Sequence, residues 1–350
     1  MICLKKLFIV IMVFLLLISC VKNIPTPNQN NTPNTTQKKY TLKDYYPFIS
    51  DRRMKYQGIG NEYAEKDVYV DFINDNRIQL RVLNPGTILA QVLEIKDGEL
   101  RLIKSQEEFY YRDYLIDSQN SSPEILLKEP LEKGTAWNTP EGKRYISEVN
   151  KKISTPSGEY EALEVTTEGK DYKTYDYYVL NIGLVKTVFE SGENKIETNL
   201  EKIETGVPVI HSLRVYYPDF LNERIIFKEE KISYKTNETF KDKLETLLKN
   251  TPDDKLSKIL GSNSKINNVY LNVEENKVYI DLSKEFISDM NAGSSLESMI
   301  LQSLVNTLGS YYSVEKVFIS LDGKPYESGH IAIKEGEFFK VDYKNTVEIK

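Results

Sequence analysis

The side chains that most often carry out chemistry in proteins are scarce in this chain. Its 350 residues include two cysteines, Cys3 and Cys20, and two histidines, His211 and His330. A cysteine-rich zinc site, a disulfide framework or a cysteine nucleophile therefore has almost no residues to draw on. Neither histidine lies in an HExxH-type spacing, so the sequence does not predict a histidine-based zinc site. We expect no catalytic residue, no metal site and no cofactor.

One short motif could still indicate an enzyme. Ser313-Val314-Glu315-Lys316 fits the S-x-x-K signature of penicillin-binding proteins. That chemistry needs a helix, which places Ser and Lys one turn apart, whereas this copy directly precedes a predicted strand, and the chain contains no KTG triplet. A glycosidase-like pair of carboxylates stays open, because 52 Asp and Glu residues guarantee neighbouring pairs. Nothing singles out one pair.

Composition excludes several classes of protein. Hydrophobic residues make up 40% and charged residues 28% of the chain, which rules out a multi-spanning membrane protein and a fully disordered one. Lys and Arg number 46 against 52 Asp and Glu, giving a net charge of −6. Without a basic excess to neutralise phosphates, nucleic acid is not an expected partner. The length accommodates two folded domains.

The N-terminus has the pattern of an export signal. Lys5 and Lys6 precede the apolar run 7–18, which is short for a membrane span but typical of a signal peptide. The sequence LISC that ends at Cys20 resembles the bacterial lipobox, in which the cysteine thiol receives diacylglycerol before cleavage. We therefore expect residues 1–19 to be a lipoprotein signal peptide, Cys20 to be lipidated, and the protein to be anchored on the extracytoplasmic face of the cell membrane. Residues 20–39, rich in Asn, Thr and Pro, are predicted to be a disordered tether.

Residues 40–205 have the pattern of an antiparallel β domain. Apolar residues alternate with polar ones, as at Val68, Val70 and Phe72, and turn sequences separate these runs at hairpin distances. We predict a curved sheet or sandwich, with at most a short turn over Ser122–Leu127. The only tryptophan of the chain, Trp137, is expected in the core, although an indole that faces a ligand is the alternative. The sequences YQGIGNEYAEKDVYVDF and ISTPSGEYEALEVTTEG resemble a β-rich module common in lipoproteins of low-GC Gram-positive bacteria, which supports the architecture rather than a function.

In residues 207–350 helices alternate with strands. An apolar stripe beginning at Phe240 predicts an amphipathic helix. Ser294 and Glu297 have the spacing of a capping box that opens a second helix, and Asn306-Thr307-Leu308 is expected to end it. Asp322-Gly323 closes a strand with a tight turn. We predict an α+β domain with two helices packed on an antiparallel or mixed sheet, and α+β as the overall class.

The order of motifs in this second region resembles the GerMN domain of spore-germination lipoproteins of the GerM type. The family has a YxPD strand end, a first helix, a hairpin ending in an LSxEF-like motif, a helix with VNTL and a strand ending in DGK. The corresponding sequences here are RVYYPD, LETLLKNTP, VYIDLSKEF, LESMILQSLVNTL and VEKVFISLDGKP. The resemblance implies a role in the cell envelope of a spore-forming bacterium, in sporulation or germination.

These observations lead to one functional hypothesis and two alternatives. We expect a non-catalytic, membrane-anchored interaction or assembly module whose partners are the membrane, through the diacylglycerol, and envelope or sporulation proteins, with peptidoglycan as a further candidate. The candidate partner contact is the exposed side of the sheet in this region together with the turn at Asp322, Gly323 and Lys324. One alternative is a lipid or peptide carrier that uses the concave face of the β domain. The other is a peptidoglycan hydrolase or its regulator.

The anchoring hypothesis gives a first prediction. Cys20→Ala should release the protein from membranes or trap the precursor, because the two acyl chains supply the strong membrane affinity of the mature chain. Labelling cells with a radioactive fatty acid and fractionating them measures both effects. Label retained on the Cys20→Ala protein would contradict lipidation at this residue.

Overall fold

The computed structural model describes residues 39–349, so Cys3, Cys20, the predicted signal peptide and nearly all of the predicted tether lie outside the described residues. The first described elements are a short helix and twelve strands: α1 (Leu42–Tyr45), β1 (Arg52–Ile59), β2 (Lys66–Ile73), β3 (Arg77–Leu83), β4 (Ile88–Lys96), β5 (Glu99–Gln106), β6 (Glu124–Lys128), β7 (Ala136–Thr139), β8 (Gly142–Thr155), β9 (Gly158–Glu168), β10 (Lys173–Val179), β11 (Gly183–Ser191) and β12 (Asn194–Thr205). Within the described range, no helix is both long and apolar enough to cross a bilayer.

The twelve strands form one antiparallel sheet, in the order β6-β5-β4-β3-β2-β1-β12-β11-β10-β9-β8-β7. Most neighbours in this order are joined by tight hairpins, as the spacing of turn residues indicated. The sheet curves until its two edges meet: the Trp137 indole N–H on β7 and the Arg144 guanidinium on β8 each donate a hydrogen bond of 2.9 Å to the Ile125 carbonyl on β6. The predicted curved antiparallel sheet is confirmed.

Side chains fill the concave side of this sheet. Its largest cluster of buried residues gathers Leu42 of α1 and Trp137 with aliphatic residues from strands all along the sheet. Trp137 is only 7% exposed, so the prediction that it is a core residue is confirmed. A cavity of about 70 Å³ remains inside the sheet, lined in part by Met54, Tyr56 and Lys66. It has room for a few waters, whereas pockets for drug-sized ligands measure about 300–1,000 Å³.

The sheet differs from the sequence prediction at two places. The pairing of β2 with β3 shifts register between Val70 and Phe72, so these two side chains do not share a face. Val70 packs in the main cluster and Phe72 in a separate cluster with Ile103 and Ile116. The second difference is the segment Ser122–Leu127, which overlaps strand β6 rather than a turn, because pairing with β5 buries its Leu127.

The C-terminal region contains eight strands and three helices. They are β13 (Val209–Asp219), β14 (Arg224–Tyr234), α2 (Phe240–Leu248), β15 (Ile266–Asn272), β16 (Lys277–Leu282), α3 (Glu285–Met290), α4 (Ser294–Tyr312), β17 (Lys316–Leu321), β18 (Lys324–Pro325), β19 (Phe339–Lys340) and β20 (Thr346–Glu348). Two of the helices, α2 and α4, correspond to the predicted pair. The six-residue helix α3 was not predicted.

These strands form two sheets with α4 packed against both. One sheet has the order β13-β14-β20, and the other pairs β15 with β16, β16 with β17, and β17 with β18 and β19. Strands β16 and β17 run parallel, so the chain between them must cross over, and α3 and α4 make that crossover. Residues all round α4 are buried, among them Ile300, Leu301, Leu304 and Val305, as expected of a helix covered on more than one side. The α+β class and the mixed sheet are confirmed.

The start of α4 is not capped as predicted. Gly293 is the N-cap residue, and the Glu297 side chain does not bond back to the helix start. Its buried carboxylate accepts hydrogen bonds from the hydroxyl groups of Tyr326 (2.7 Å) and Ser328 (2.5 Å) and lies 2.7 Å from His330 Nδ1. Burial raises the pKa of Glu297, but these donors outweigh that effect and hold it below its usual value. Glu297 therefore fastens the chain after β18 to the helix.

Asn306 and Thr307 do not end α4, which continues to Tyr312. The Asn306 side chain accepts a hydrogen bond from the main-chain amide of Asp342 (3.0 Å) and donates one to the main-chain carbonyl of Asp342 (2.6 Å). The Thr307 hydroxyl accepts a hydrogen bond from the Tyr216 amide on β13 (3.0 Å). Both side chains are fully buried, so this polar pair holds two distant segments against the helix.

A buried ionic group joins the β sheet to the C-terminal region. By strand alternation Asp71 lies on the side of the sheet opposite Val70, and its carboxylate is buried between two arginines, with Arg81 Nη2 at 3.0 Å and Arg112 Nη1 at 2.6 Å from its oxygens. The other donors of Arg112 bond to main-chain carbonyls: Nη2 to those of Asp71 (2.8 Å) and Lys235 (3.0 Å), and Nε to that of Glu238 (2.7 Å). One guanidinium thus contacts both regions, and residues from Tyr40 onward form one compact unit.

The second prediction concerns this ionic group. Arg112→Ala should lower the free energy of unfolding by about 3–5 kcal/mol, because Asp71 and the carbonyls would lose their buried partner. Urea unfolding followed by far-UV circular dichroism measures the change. The control is Arg214→Ala, which removes the exposed ion pair with Glu229 and should cost at most about 1 kcal/mol. Equal effects for the two variants would mean that the buried group does not tie the regions together.

Candidate functional site

The exposed side of the sheet built from β15, β16 and β17 is the candidate functional site, and we call it the outer face. Strand alternation turns Val269, Val278 and Val317 inward to the core and leaves their neighbours outside. Three rows of side chains cross the outer face, namely Asn268–Asp281–Ser320, Tyr270–Tyr279–Phe318 and Asn272–Lys277. Lys316 continues the third row, because it and Lys277 directly precede the paired residues Val317 and Val278. The outer face therefore has a polar, an aromatic and a basic row side by side.

The central row is aromatic. The rings of Tyr270 and Tyr279 are parallel within 8° with centroids 5.4 Å apart, and Phe318 lies 5.3 Å from Tyr279 at 50°. Tyr270 is 42% exposed, and the other two rings are half-buried. The Tyr279 hydroxyl donates a hydrogen bond of 2.7 Å to Glu275. Contiguous exposed aromatic surface is typical of sites at which proteins bind other molecules.

The polar row supports the turn that follows β17. Asp281 accepts hydrogen bonds from the Ser320 hydroxyl (2.5 Å), the Gly323 amide (2.8 Å) and the Asn267 side-chain amide (2.9 Å). Asp322 and Gly323 have φ of 45° and 80°, which are the two positive angles of a type I′ hairpin turn. The predicted tight Asp-Gly turn is confirmed, and Asp281 fixes it from the neighbouring strand.

The three predicted contact residues do not all lie on the outer face. Asp322 accepts a hydrogen bond of 3.2 Å from Asn267, and Gly323 is held by Asp281, so both lie at the edge of the outer face. Lys324 pairs with Leu321, which belongs to the alternate set of β17 side chains, and therefore points to the opposite side of the sheet. Sequence reasoning missed the aromatic row next to this turn.

The residues considered for catalysis are far from forming one site. His211 is buried on β13 with Nδ1 3.1 Å from the Tyr311 hydroxyl, and His330 is instead bound to Glu297. Burial, together with the charges of Arg81 and Arg112, lowers the pKa of His211 to about 3, so it is neutral at physiological pH. Among the described residues, no group of three or more His, Cys, Asp or Glu side chains is placed to hold a metal ion.

The S-x-x-K sequence is not a helical motif. Ser313 follows the last residue of α4 with a left-handed φ of 56°, and Lys316 begins β17. Ser and Lys therefore do not lie one turn apart on a helix, which the chemistry of penicillin-binding proteins requires. The interpretation of this motif as a chance match agrees with the structure.

Comparisons with known proteins bear on the C-terminal region. Residues 214–327 match the model of the Germane family, described as "Sporulation and spore germination". A comparison with curated protein sequences finds no match.

Several solved structures are similar to parts of this chain. The tandem GerMN domains of the sporulation protein GerM from Bacillus subtilis are 20% identical over 37% of this chain and 45% of that chain, with a TM-score of 0.27. The first GerMN domain of the same protein is 20% identical over 36% of this chain and 95% of that chain, with a TM-score of 0.25. An exported protein with a YmcC-like fold from Bacteroides fragilis is 12% identical over 46% of this chain and 99% of that chain, with a TM-score of 0.30.

The third prediction tests how the outer face is supported. Asp281→Ala should raise the hydrogen-exchange rate of the Gly323 amide about tenfold or more, because that amide loses a hydrogen bond to a charged acceptor. Exchange followed by NMR measures the rate. Asp322→Asn is the control, since asparagine tolerates the positive φ of this position and the side chain, which has one long hydrogen bond to Asn267, does not touch this amide. Unchanged exchange in Asp281→Ala would show that the turn does not depend on the polar row.

Proposed function

We propose that the C-terminal region is a GerMN-type domain and that the protein is a lipid-anchored interaction or assembly module of the cell envelope, because residues 214–327 match the Germane family model, described as "Sporulation and spore germination". In this proposal diacylglycerol on Cys20 holds the protein on the extracytoplasmic face of the cell membrane. The GerMN-type domain acts without catalysis and binds envelope or sporulation proteins, with peptidoglycan as a further candidate.

The aromatic row of the outer face is the observation that carries the proposal. Tyr270, Tyr279 and Phe318 keep apolar surface in contact with water, although the same strands bury their alternate side chains completely or nearly so. Exposed apolar surface costs free energy in water, and covering it by a partner removes that cost. Charged and polar groups border the row on both sides, which is the arrangement of an apolar interface centre with a polar rim.

The geometry gives less support to the alternatives. A carrier that uses the concave side of the β sheet needs space for its ligand, and the cavity there measures about 70 Å³. The inner surface is occupied by the Trp137 cluster instead. A hydrolase is tested directly by the release of muropeptides from purified cell wall.

The fourth prediction is a test in cells. Tyr270→Ser combined with Phe318→Ser should reduce spore yield or germination about tenfold or more while leaving the thermal unfolding midpoint within about 2 °C, because both rings contact solvent on one side. The matched control is Ile59→Ser with Tyr63→Ser, which removes two exposed apolar side chains from the β sheet region. Full function in the Tyr270/Phe318 variant would contradict a role of the outer face. Muropeptide release by the purified protein would replace the proposal by a hydrolase.

A further inference from the structure

We propose that the outer face binds an acidic segment of a partner protein, with carboxylates placed on its basic row and an apolar side chain placed on its aromatic row. This inference rests on the proposed function, because it names the class of partner for the same surface. It is carried by the charges of two lysines that the fold places opposite each other.

Lys316 on β17 and Lys340 on β19 are directly paired in the antiparallel ladder, so their side chains leave the sheet on the same side. Both are exposed. Among the described residues neither forms an ion pair, and the Lys316 ammonium lies 5.4 Å from the centroid of the Phe338 ring. Like charges directly opposite each other on neighbouring strands are destabilising. The fold therefore keeps a repulsive pair that an anionic partner would neutralise.

Several strand lysines elsewhere in the chain have an acidic partner. In the β sheet, Lys55 lies 3.0 Å from Glu201 and Lys186 lies 2.8 Å from Glu197. On the outer face itself, Lys277 is paired with Glu275 and lies 4.7 Å from the centroid of the Tyr279 ring. The whole chain is acidic, with a net charge of −6. Lys316 and Lys340 have no such partner among the described residues, and the ladder places them directly opposite each other at the end of the outer face.

The position of the aromatic row sets what the partner must present. Lys316 and Phe318 are two residues apart on one strand, a separation of about 6.5–7 Å along its axis. A partner that neutralises the lysines and covers Phe318 must hold carboxylates and an apolar side chain at this short distance. Acidic polypeptides with interspersed aromatic or aliphatic residues meet that requirement. Of the neighbouring carboxylates, Asp281 is bonded to the turn and Glu275 is paired with Lys277, so neither forms an ion pair with Lys316 or Lys340.

The test uses the purified full-length protein and a fluorescent random copolymer of glutamate and tyrosine, with binding measured by anisotropy. We expect binding that weakens as sodium chloride is raised, and weaker binding of polyglutamate, which has no aromatic side chain. Lys316→Glu combined with Lys340→Glu should lower the affinity at least tenfold. The matched control, Lys96→Glu with Lys170→Glu, changes the net charge equally at two other exposed lysines without ion pairs in the described part of the chain, and should stay within twofold.

The outcomes separate this inference from the proposed function. Equal losses in the two lysine variants would show that only net charge matters, and absence of copolymer binding would also overturn the inference. Binding to vesicles of equal parts phosphatidylglycerol and phosphatidylcholine that Lys316→Glu with Lys340→Glu weakens at least tenfold, and that the control variant leaves unchanged, would assign the two lysines to a membrane instead. If Tyr270→Ser with Phe318→Ser abolishes function in cells but Lys316→Glu with Lys340→Glu retains it, the proposed interaction module is kept and the inference of an acidic partner is overturned. If both variants function fully, the proposed function fails as well.

Discussion

The arrangement of the molecule depends on one carboxylate shared by two buried arginines. Asp71 lies between Arg81 and Arg112, and all three side chains are at most 1% exposed. Burial alone would raise the pKa of Asp71, but the two guanidinium groups outweigh it and keep the pKa below its usual value. Two cations against one anion leave a positive charge, which main-chain carbonyls and the rings of Phe72 and Tyr234 help to offset, each ring 4.6 Å from the Arg112 guanidinium. Removing any one of the three side chains would leave the other charges buried without a partner. The group therefore holds the β sheet and the C-terminal region in one orientation.

This tie extends to the end of α4. The Arg112 amide donates a hydrogen bond of 3.0 Å to the Tyr311 hydroxyl, which lies 3.1 Å from Nδ1 of the neutral His211. Near the N-terminal end of α4, Glu297 binds Tyr326. Between Glu297 and Tyr311, Asn306 forms two hydrogen bonds with the backbone of Asp342. Polar groups on the inner side of the C-terminal region are thus bonded to distant parts of the chain. The outer face has bonds only among its own neighbours, which leaves its aromatic and basic rows open to a partner.

Local patterns predicted local structure, and long-range contacts account for the differences. Alternation and turn residues were sufficient for the hairpins of the β sheet and for the Asp322-Gly323 turn, because these depend on neighbours in sequence. The pairing of β1 with β12, which joins Arg52 to Thr205, has no such local signal. The role of Glu297 could not be read from its spacing to Ser294, since its partner Tyr326 is brought in by tertiary folding. Nor does the sequence indicate that Asp71 binds Arg112, which lies 41 residues away along the chain. The aromatic row could have been recognised in the sequence. The triplets Val-Tyr-Leu, Val-Tyr-Ile and Val-Phe-Ile occur in β15, β16 and β17, and the middle, aromatic residue of each faces the side opposite its two aliphatic neighbours.

Topology explains why this row stays exposed. Strands β16 and β17 are parallel, and their connection through α3 and α4 lies on one side of the sheet, where it covers Val278, Ile280 and Ile319. Sheets with parallel pairs are usually covered on both sides, because their strands are apolar on both. Here the connecting helices α3 and α4 both lie on the inner side of the sheet. The strands β18 and β19 that follow extend the sheet at its edge and do not cover its other side. The apolar rings on the other side are therefore left in contact with solvent.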